Sequence, residues 1–281
     1  MYRATGHGSE FSFANLFFWA DQRVTFLNST PVILSNFGNS YTYPFPVNCA
    51  DLKATVEILR ADARERGIPL RIFGLLPQEK DTLETLFPGR FQFHAVRNSF
   101  DYVYDINRLA DLQGKKLQSK RNHCNRFEEA HPDYRVLPLT AELLPRCRDF
   151  AEWWYADHLH NHNASDYAGE RTALEKAFAH FDELHMEGIG IEVEGELIAF
   201  SMGNRIRKDT FDVNFEKARA DINGAYPMIN REFARLLRDR YPDVRLLNRE
   251  DDMGIEGLRK AKESYHPDLL LEKLLAEEIA P

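Results

Sequence analysis

The sequence predicts a mixed α/β protein built from two units, each with a mixed central β-sheet. Short runs of β-branched and aromatic residues alternate with longer segments whose apolar residues recur at helical spacing. A hairpin signal, Glu194-Gly195-Glu196 between two apolar runs, lies in the second half of the chain. With 43% hydrophobic residues and 20 phenylalanines in 281 residues, the chain has enough apolar side chain for a sizeable core.

The first unit is predicted to span residues 1–107. Its expected elements are strands at 24–27, 31–35, 70–73 and 99–104, helices at 50–66 and 78–86, and an apolar core segment at 11–20. Gly67 is expected to end the first helix, because glycine accepts the left-handed conformation that often closes helices. The core segment is bounded by Glu10 and Asp21 and is too short to cross a bilayer.

A basic helix over 109–130 is predicted to join the units, within a bridging segment at 108–131. On a helix, Lys120 would lie on one face, and Arg121 and Asn125 on another. Two interpretations stay open. The basic residues track an RNA backbone or an anionic lipid surface, or they form the solvated side of a bridging helix.

The second unit is predicted to span residues 132–281. Its expected elements are strands at 134–139, 188–193, 197–205, 210–215 and 244–247, and helices at 141–159, 171–184, 226–240 and 255–265. Helices precede the hairpin and a strand, helix and strand follow it, an order that resembles a GNAT-type acyltransferase unit. Order by itself is weak evidence, because many α/β folds share parts of it.

The junction between the last predicted strand and helix is the most informative part of the chain. Residues 248–265 combine several acids and bases with two glycines, at a strand end where α/β folds commonly bind ligands. The alternative is purely structural: Asp251 or Asp252 caps the helix and Glu256 pairs with Lys260 one turn on. That alternative leaves the nearby arginines unexplained.

The predicted start of the 226–240 helix is a second candidate site. Asp221 or Asn223 is expected to cap the helix, Gly224 lets a ligand approach the backbone, and Pro227 suits a first helical turn. Free amides at such a start attract anions. The alternative is a well-capped amphipathic helix with no ligand.

Three stretches carry a resemblance to a known family. They are Lys115-Lys116-Leu117-Gln118-Ser119-Lys120-Arg121-Asn122-His123-Cys124-Asn125-Arg126-Phe127; Phe215-Glu216-Lys217-Ala218 with Gly224-Ala225-Tyr226 and Ile229-Asn230; and Asn248-Arg249-Glu250-Asp251 through Tyr265. Together with the block at 9–19, they make nearly the whole chain resemble a bacterial family of uncharacterised tandem-GNAT proteins. That family is similar to the C-terminal catalytic domain of phosphatidylglycerol lysyltransferase and, more distantly, to the Fem-type aminoacyltransferases of peptidoglycan synthesis.

The resemblance implies two tandem GNAT-like (acyl-CoA N-acyltransferase-like) units, with a transferase site in the second. Lysyltransferases of this kind move lysine from charged tRNA to a membrane lipid and carry a transmembrane flippase, for which this chain offers no apolar segment. The glycine-rich pyrophosphate loop of GNAT enzymes is missing from 217–226. The implied donor is aminoacyl-tRNA or acyl-CoA, with no permanently bound cofactor. The implied acceptor is an amine or hydroxyl on a small molecule, a peptide or a lipid headgroup.

Acyl transfer needs a base for the acceptor, a stabilised oxyanion and an acid for the leaving group. The catalytic candidates are Glu216, Tyr226, Glu250, Asp251 and Lys262. The substrate-binding candidates are Lys120, Arg121, Asn125, Asn214, Lys217, Gly224, Ala225, Asn230, Asn248, Arg249, Asp252, Arg259 and Tyr265. In this scheme the carboxylates act as base or hold an amino group, a tyrosine protonates the leaving atom, and the cations steady negative charge. The alternative is a non-catalytic GNAT-fold protein that binds or senses a ligand.

The charge and the cysteine and histidine content argue against several classes of protein and of binding site. A net charge of −8 argues against a surface that grips nucleic acid over its whole extent. Three widely spaced cysteines indicate neither a disulfide framework nor a zinc knuckle, so a cytoplasmic location is expected, with contact at a membrane surface left open. His158, His160 and His162 suggest a metal, but no acid completes a ligand set, and no metal site is expected.

Overall fold

The protein is described by a computed structural model that covers residues 8–19, 21–27, 30–37, 40–158 and 164–279. Two compact units are present. The first comprises residues up to Asp101, Asp251–Ile255 and residues from Leu270 onward, and the second comprises Tyr102–Glu250 and Glu256–Leu269. The prediction divided the chain into continuous segments with boundaries at 107 and 131. Each observed unit is instead assembled from separate stretches of chain.

A six-stranded sheet forms the centre of the first unit, in the order β1-β2-β3-β4-β13-β5. Its elements are α1 (Phe13–Phe18), β1 (Asp21–Leu27), β2 (Thr30–Phe37), β3 (Ser40–Pro44), α2 (Leu52–Arg66), β4 (Arg71–Leu75), α3 (Pro77–Leu86), β5 (Phe91–Ala95) and β13 (Leu274–Glu278). The prediction contained no strand near the C-terminus, yet β13 lies between β4 and β5 and is antiparallel to both. Gly67 ends α2 in the left-handed conformation, as predicted.

Most of a seven-stranded sheet belongs to the second unit, in the order β12-β6-β11-β10-β9-β8-β7. Its elements are β6 (Asp101–Asp105), α4 (Ile106–Asp111), α5 (Gln118–Ala130), β7 (Arg135–Pro138), α6 (Leu144–His158), α7 (Ala164–Ala179), β8 (Glu187–Val193), β9 (Glu196–Arg205), β10 (Thr210–Ala218), α8 (Ala225–Arg240), β11 (Leu246–Asn248), α9 (Glu256–Glu263) and β12 (Leu269–Leu271). The two mixed sheets confirm the predicted α/β class. The predicted hairpin is also confirmed, with Glu194 and Gly195 both at positive φ in its turn.

The predicted long helix over 109–130 is wrong, because the chain forms two helices there. Leu112 adopts the left-handed conformation at the end of α4, and Gly114 follows at φ 84°. Leu112 and Leu117, at either end of the connecting loop, are completely buried. Burial of these two leucines holds the loop against the core, so the backbone turns between α4 and α5. Both helices contact α8 inside the second unit.

The α8 helix provides much of the core of this unit. Of the four residues that the helical spacing predicts in the core, Met228, Phe233 and Leu237 are buried, and Leu236 is half-buried against the same core. Within the described ranges, no helix combines the length and the apolarity that crossing a bilayer requires.

Candidate active site

The strands β10 and β11 are paired over three residues and then diverge. Thr210–Asp212 pair with Leu246–Asn248 in parallel. The β10 strand continues to Ala218, whereas the chain after β11 stays hydrogen-bonded to the backbone of Tyr102. An irregularity in the β9–β10 register after Asp212 adds to the divergence, and such bulges are common next to active sites. Side chains, rather than backbone hydrogen bonds, cross the gap between the two strands.

Glu216 is the centre of the first group of these side chains. Its Oε1 accepts a hydrogen bond from Arg249 Nη2 at 2.8 Å, and its Oε2 accepts one from Asn230 Nδ2 at 3.3 Å. The side chains of Glu216 and Arg249 are each 12% exposed. A strand end, a helix and the segment after β11 therefore meet at one carboxylate.

Four polar atoms around Glu216 are buried and have no hydrogen-bond partner within the described residues. They are Ser201 Oγ, Asn214 Oδ1, Asn230 Oδ1 and Arg249 Nη1. Ser201 lies directly opposite Glu216 in the antiparallel pairing of β9 and β10, and Asn214 lies two residues before it. Buried polar groups are almost always hydrogen-bonded in native proteins. Four such atoms around one carboxylate give this part of the protein the capacity to bind a polar ligand.

Two cations contact the ring of Tyr265 beside this group. The guanidinium carbon of Arg249 lies 5.0 Å from the ring centroid, and Lys120 Nζ lies 4.3 Å from it. Burial, and then repulsion from Arg249, lower the pKa of the Lys120 ammonium. Burial also raises the pKa of the Tyr265 phenol. The tyrosine therefore remains neutral at physiological pH, between two groups that favour negative charge in a ligand.

A second group holds the backbone around Arg249 in place. Asn214 Nδ2 donates to Glu250 Oε1 at 3.1 Å, and Asn248 Oδ1 accepts from the Glu250 amide at 2.8 Å. Lys262 Nζ donates to the Arg249 carbonyl at 2.6 Å. Glu250 has a positive φ of 56°, a conformation that non-glycine residues seldom adopt. These contacts make Asn248 and Lys262 supports of the site's backbone.

Lys217 and Tyr226 form a separate group that centres on Trp154. Lys217 follows Glu216 in β10 and points to the opposite face of the sheet, because side chains alternate along a strand. Its Nζ lies 3.2 Å from both carboxylate oxygens of Glu170 and 3.7 Å from the centre of the Trp154 ring. Trp154 Nε1 donates to the hydroxyl of Tyr226 at 3.1 Å.

Asp251 and Asp252 belong to the first unit, apart from the unit that contains Glu216. Asp252 Oδ2 accepts from Arg97 Nη1 at 3.0 Å, and both aspartates accept backbone amides in the turns before α9. The predicted surface pair of Glu256 with Lys260 is confirmed, with both side chains more than two-thirds exposed. Charges that are consecutive in the sequence are thus divided between two compact units.

The predicted anion site at the start of α8 is different in the structure. Gly224 is the N-cap residue, with φ at 89° and no side-chain cap. The predicted caps are wrong, because Asp221 pairs with Arg219 and Asn223 contacts His123. A Cβ on Gly224 would lie 2.5 Å from the His123 carbonyl oxygen. The glycine therefore permits close approach of α5, whereas the prediction assigned that space to a ligand.

The remaining candidates have varied positions. Arg121 Nη1 donates to the carbonyls of Leu112 and Gly114, so it supports the loop before α5. Asn125 is exposed, Arg259 is half-buried and Ala225 is buried in the first turn of α8. The positions of His160 and His162 lie outside the described residues, as does the side chain of His158.

Sequence reasoning missed Ser201 and Trp154. The hairpin prediction contained part of the signal for Ser201, because the register of its two strands determines which residues face β10. As one of two adjacent tryptophans, Trp154 is most simply interpreted from the sequence as a core residue, and nothing in the sequence indicates which hydroxyl its indole contacts.

The elements around the divergent strands follow in the predicted order: helices, a hairpin, a bulged strand, a helix and a parallel strand. This order is that of a GNAT-like fold. The chain belongs to the family described as phosphatidylglycerol lysyltransferase, C-terminal, whose model matches residues 3–277. Fold and family together make it an aminoacyl- or acyltransferase-like protein.

Known proteins similar to the chain include two solved structures. A conserved protein of unknown function from Bacteroides thetaiotaomicron is 37% identical, with a TM-score of 0.91 over 99% of this chain and 93% of that one. The L-PGS from Bacillus licheniformis is 15% identical, with a TM-score of 0.63 over 92% of this chain and 84% of that one, which is a likeness of fold.

A curated relative matches part of the chain. An uncharacterized protein of Mycoplasmoides gallisepticum is 24% identical over 187 residues. The match covers 65% of this chain and 57% of that protein's length.

Proposed function

We propose that the second unit transfers an aminoacyl group from an activated ester to an amine or hydroxyl acceptor, in the gap between β10 and β11. The observation that carries the proposal is the set of four unpartnered polar atoms around Glu216. Three are oxygens, on Ser201, Asn214 and Asn230, and one is the Nη1 donor of Arg249. A ligand that matches this set offers several donors and at least one acceptor.

The ammonium and carbonyl of an aminoacyl ester meet that requirement. A protonated amine has three N–H donors for the buried oxygens, and the negative charge of Glu216 favours the cation. Arg249 Nη1 is a donor for the ester carbonyl. Its hydrogen bond strengthens as negative charge develops on that oxygen during attack.

A simple acyl group fits the site less well. An acetyl thioester has no amine, so the three oxygens would remain unpaired after the ligand had displaced water. Each such loss costs about 1–3 kcal/mol. Together with the missing pyrophosphate loop, this argument favours an aminoacyl ester over acyl-CoA as the donor.

Family membership supports the same class of substrate. The family description names a lysyltransferase and phosphatidylglycerol, so we propose charged tRNA as donor and a lipid headgroup hydroxyl as the first acceptor to test. Small amines and peptides are the next acceptors. The donor is a substrate, and the proposal includes no resident cofactor.

A transfer assay with purified protein tests the proposal. The donors are tRNAs charged with radiolabelled lysine, alanine or arginine, and acetyl-CoA, and the acceptors are phosphatidylglycerol micelles and small amines. We expect transfer from at least one aminoacyl-tRNA and none from acetyl-CoA. Asn230→Leu removes one oxygen that binds the ammonium and should lower kcat/KM about 10- to 100-fold, the scale of one lost hydrogen bond to a charged group. Glu256→Gln, on the exposed surface pair, is the matched control and should retain full activity.

The same assay distinguishes the non-catalytic alternative. A silent ligand-binding protein would be stabilised by a non-hydrolysable aminoacyl-ester analogue and would leave every donor intact. At 100 times its dissociation constant a ligand adds about 2.7 kcal/mol of stability, which a melting curve detects. Stabilisation without turnover would contradict the transferase proposal, and turnover of acetyl-CoA would contradict the choice of donor.

A further inference from the structure

Lys120, in the first turn of α5, is a half-buried lysine whose ammonium has no counter-ion within the described residues. It makes no hydrogen bond and no ion pair there, and its Nζ lies 4.3 Å from the centroid of the Tyr265 ring. The more deeply buried lysines, Lys217, Lys262 and Lys273, each contact a carboxylate or a backbone carbonyl oxygen. A cation that is withdrawn from water without such a partner is disfavoured relative to the neutral amine.

The charged and titratable groups around Lys120 leave the neutral amine favoured. Burial and then repulsion from Arg249 lower the pKa of Lys120, and Glu216 opposes them less strongly. Cys124, one turn further along α5, is neutral because burial raises the pKa of its thiol to about 11. The phenol of Tyr265 is neutral as well, because burial raises its pKa. The positive end of the α5 helix dipole acts in the same direction as Arg249.

Lys120 lies beside the group to which the ester carbonyl is assigned. Its Nζ and the guanidinium of Arg249 contact the same ring, that of Tyr265. The Nη1 of Arg249 is buried without a partner among the described residues and is the proposed donor to the ester carbonyl. A lysine amine at the end of a flexible four-carbon stem can therefore reach an acceptor that attacks the carbon of this carbonyl.

The carboxylates that the sequence suggested as bases are already engaged. Both oxygens of Glu216 accept hydrogen bonds within the protein. One oxygen of Glu250 accepts a hydrogen bond from Asn214, and Asp251 belongs to the first unit. Lys120, in contrast, has no hydrogen bond within the described residues to lose before it accepts a proton.

We propose that Lys120 is a catalytic residue, the general base that takes the proton of the attacking acceptor hydroxyl or amine. The inference rests on the proposed function, because it needs an acceptor and an aminoacyl ester. It gives a chemical role to one residue of the basic segment, for which the sequence left only binding or solvation open.

The proposed step is balanced. The acceptor oxygen or nitrogen forms a bond to the ester carbon while its proton passes to the neutral amine of Lys120, which becomes an ammonium. The bond from the ester carbon to the leaving oxygen then breaks with its electron pair, and that oxygen takes the proton from the ammonium. One amine can serve both transfers, because the attacking and leaving atoms are bonded to the same carbon. Lys120 ends neutral, and the transfer neither consumes nor releases a proton.

Two substitutions distinguish a base from a cation that binds phosphate. Lys120→Arg keeps the positive charge and cannot act as a base, because a guanidinium stays protonated. Lys120→Met keeps the apolar stem and loses the amine. With aminoacyl-tRNA as donor and phosphatidylglycerol or ethanolamine as acceptor, we expect kcat to fall about 100-fold in both variants, with the KM of the donor unchanged. Lys208→Arg, the same substitution at an exposed lysine of the same unit, is the matched control and should retain full activity.

An acceptor that needs no base provides a readout that a structural role would not move. Hydroxylamine is unprotonated and strongly nucleophilic at neutral pH, so both variants should transfer to it within about threefold of the unaltered protein. With phosphatidylglycerol, kcat/KM of the unaltered protein should rise about tenfold per pH unit below the pKa of Lys120. The same profile should be flat in Lys120→Arg.

Competitive acetylation measures the lysine directly, without turnover. The unaltered protein is labelled with trace acetic anhydride at several pH values, together with a short lysine peptide as internal standard, and the acetylated peptides are quantified by mass spectrometry. Acetic anhydride reacts with the neutral amine. Lys120 should therefore become reactive at a lower pH than the side chain of the standard, whose pKa is about 10.4.

The outcomes separate the two proposals. An active Lys120→Arg beside an inactive Lys120→Met would make Lys120 a binding cation and overturn this inference, while the transferase proposal would stand. Equal losses with hydroxylamine and phosphatidylglycerol, or labelling of Lys120 in parallel with the standard, would overturn it too. If the unaltered protein transferred from no donor, the proposed function would fail, and this inference with it. If neither variant folds, the labelling profile of the unaltered protein still decides the inference.

Discussion

Arg249 uses one amino group of its guanidinium to bind Glu216 and leaves the other unpartnered among the described residues. Nη2 donates to Glu216 Oε1 at 2.8 Å, whereas Nη1 is buried and makes no hydrogen bond. The pair therefore has a structural half, which spans the divergent strands, and a second half, Nη1, that is available to the proposed ligand. Both halves can be measured separately.

Arg249→Met should unfold more easily than the unaltered protein. It leaves the carboxylate of Glu216 nearly buried without its cation, and removal of one partner from a buried pair typically costs about 3–5 kcal/mol. The double variant Arg249→Met/Glu216→Gln should recover much of that stability and remain inactive. Urea unfolding measures both, and a loss below about 0.5 kcal/mol for the single variant would show that the pair is solvated.

Ser201→Ala should stabilise the protein and impair the site. The hydroxyl is completely buried and unpartnered within the described residues, so its removal should raise the free energy of unfolding by about 1 kcal/mol. Transfer should fall about 10-fold, because one ligand contact is lost. Ser40→Ala, at an exposed serine, is the control and should change stability by less than about 0.5 kcal/mol. A destabilised Ser201→Ala would mean that the hydroxyl is bonded within the protein.

Lys273→Met should be strongly destabilising, in contrast to Lys260→Met. Lys273 Nζ lies 2.7 Å from Asp101 and 2.6 Å from Glu10, and Asp101 is completely buried. Loss of the cation should cost about 3–5 kcal/mol. Lys260 pairs with Glu256 on the surface, where such pairs are worth about 0.5 kcal/mol or less. Equal melting temperatures for the two variants would contradict this contrast.

The deficit of Lys273→Met should also depend on pH in a defined direction. Although burial acts against the charged form, the carboxylates of Asp101 and Glu10 outweigh it and raise the pKa of Lys273. A raised pKa contributes stability that is complete below the ordinary lysine value of about 10.4 and declines as pH rises through the folded-state value. The deficit should therefore be constant from about pH 7 to 9 and shrink only at higher pH. Denaturant titrations at several pH values check this.

Gly224→Ala should destabilise the second unit, whereas Gly257→Ala should not. Gly224 has φ at 89°, and an added Cβ would lie 2.5 Å from the His123 carbonyl oxygen, so strain and overlap together should cost about 2–4 kcal/mol. A Cβ on Gly257, within α9, meets nothing within 4 Å and should add up to about 0.5 kcal/mol of stability. A neutral Gly224→Ala would show that α5 moves easily away from α8.

Local patterns predicted most elements correctly because their causes are local. The end of α2 at Gly67, the hairpin at Glu194 and Gly195, and the amphipathic α8 all follow from residues within a few positions. The break in the predicted helix between Leu112 and Leu117 could not be predicted from nearby residues. Burial of these two leucines against the rest of the unit overrides the helical spacing. The terminal strand β13 was missed for a related reason, since its partners are about 180 to 200 residues away in the chain.

The sequence by itself determined the α/β class, the family and the two chain regions that contribute to the candidate site, since these depend on composition, periodicity and motif. Only the tertiary structure decided which residues meet. It joined Glu216 to Arg249 across 33 positions and to Ser201 through strand register, turned Lys217 to the other face of the sheet, and placed Asp252 in the first unit. The physical reason is that contacts between distant residues depend on how strands pair and helices pack, and local periodicity contains little information about either.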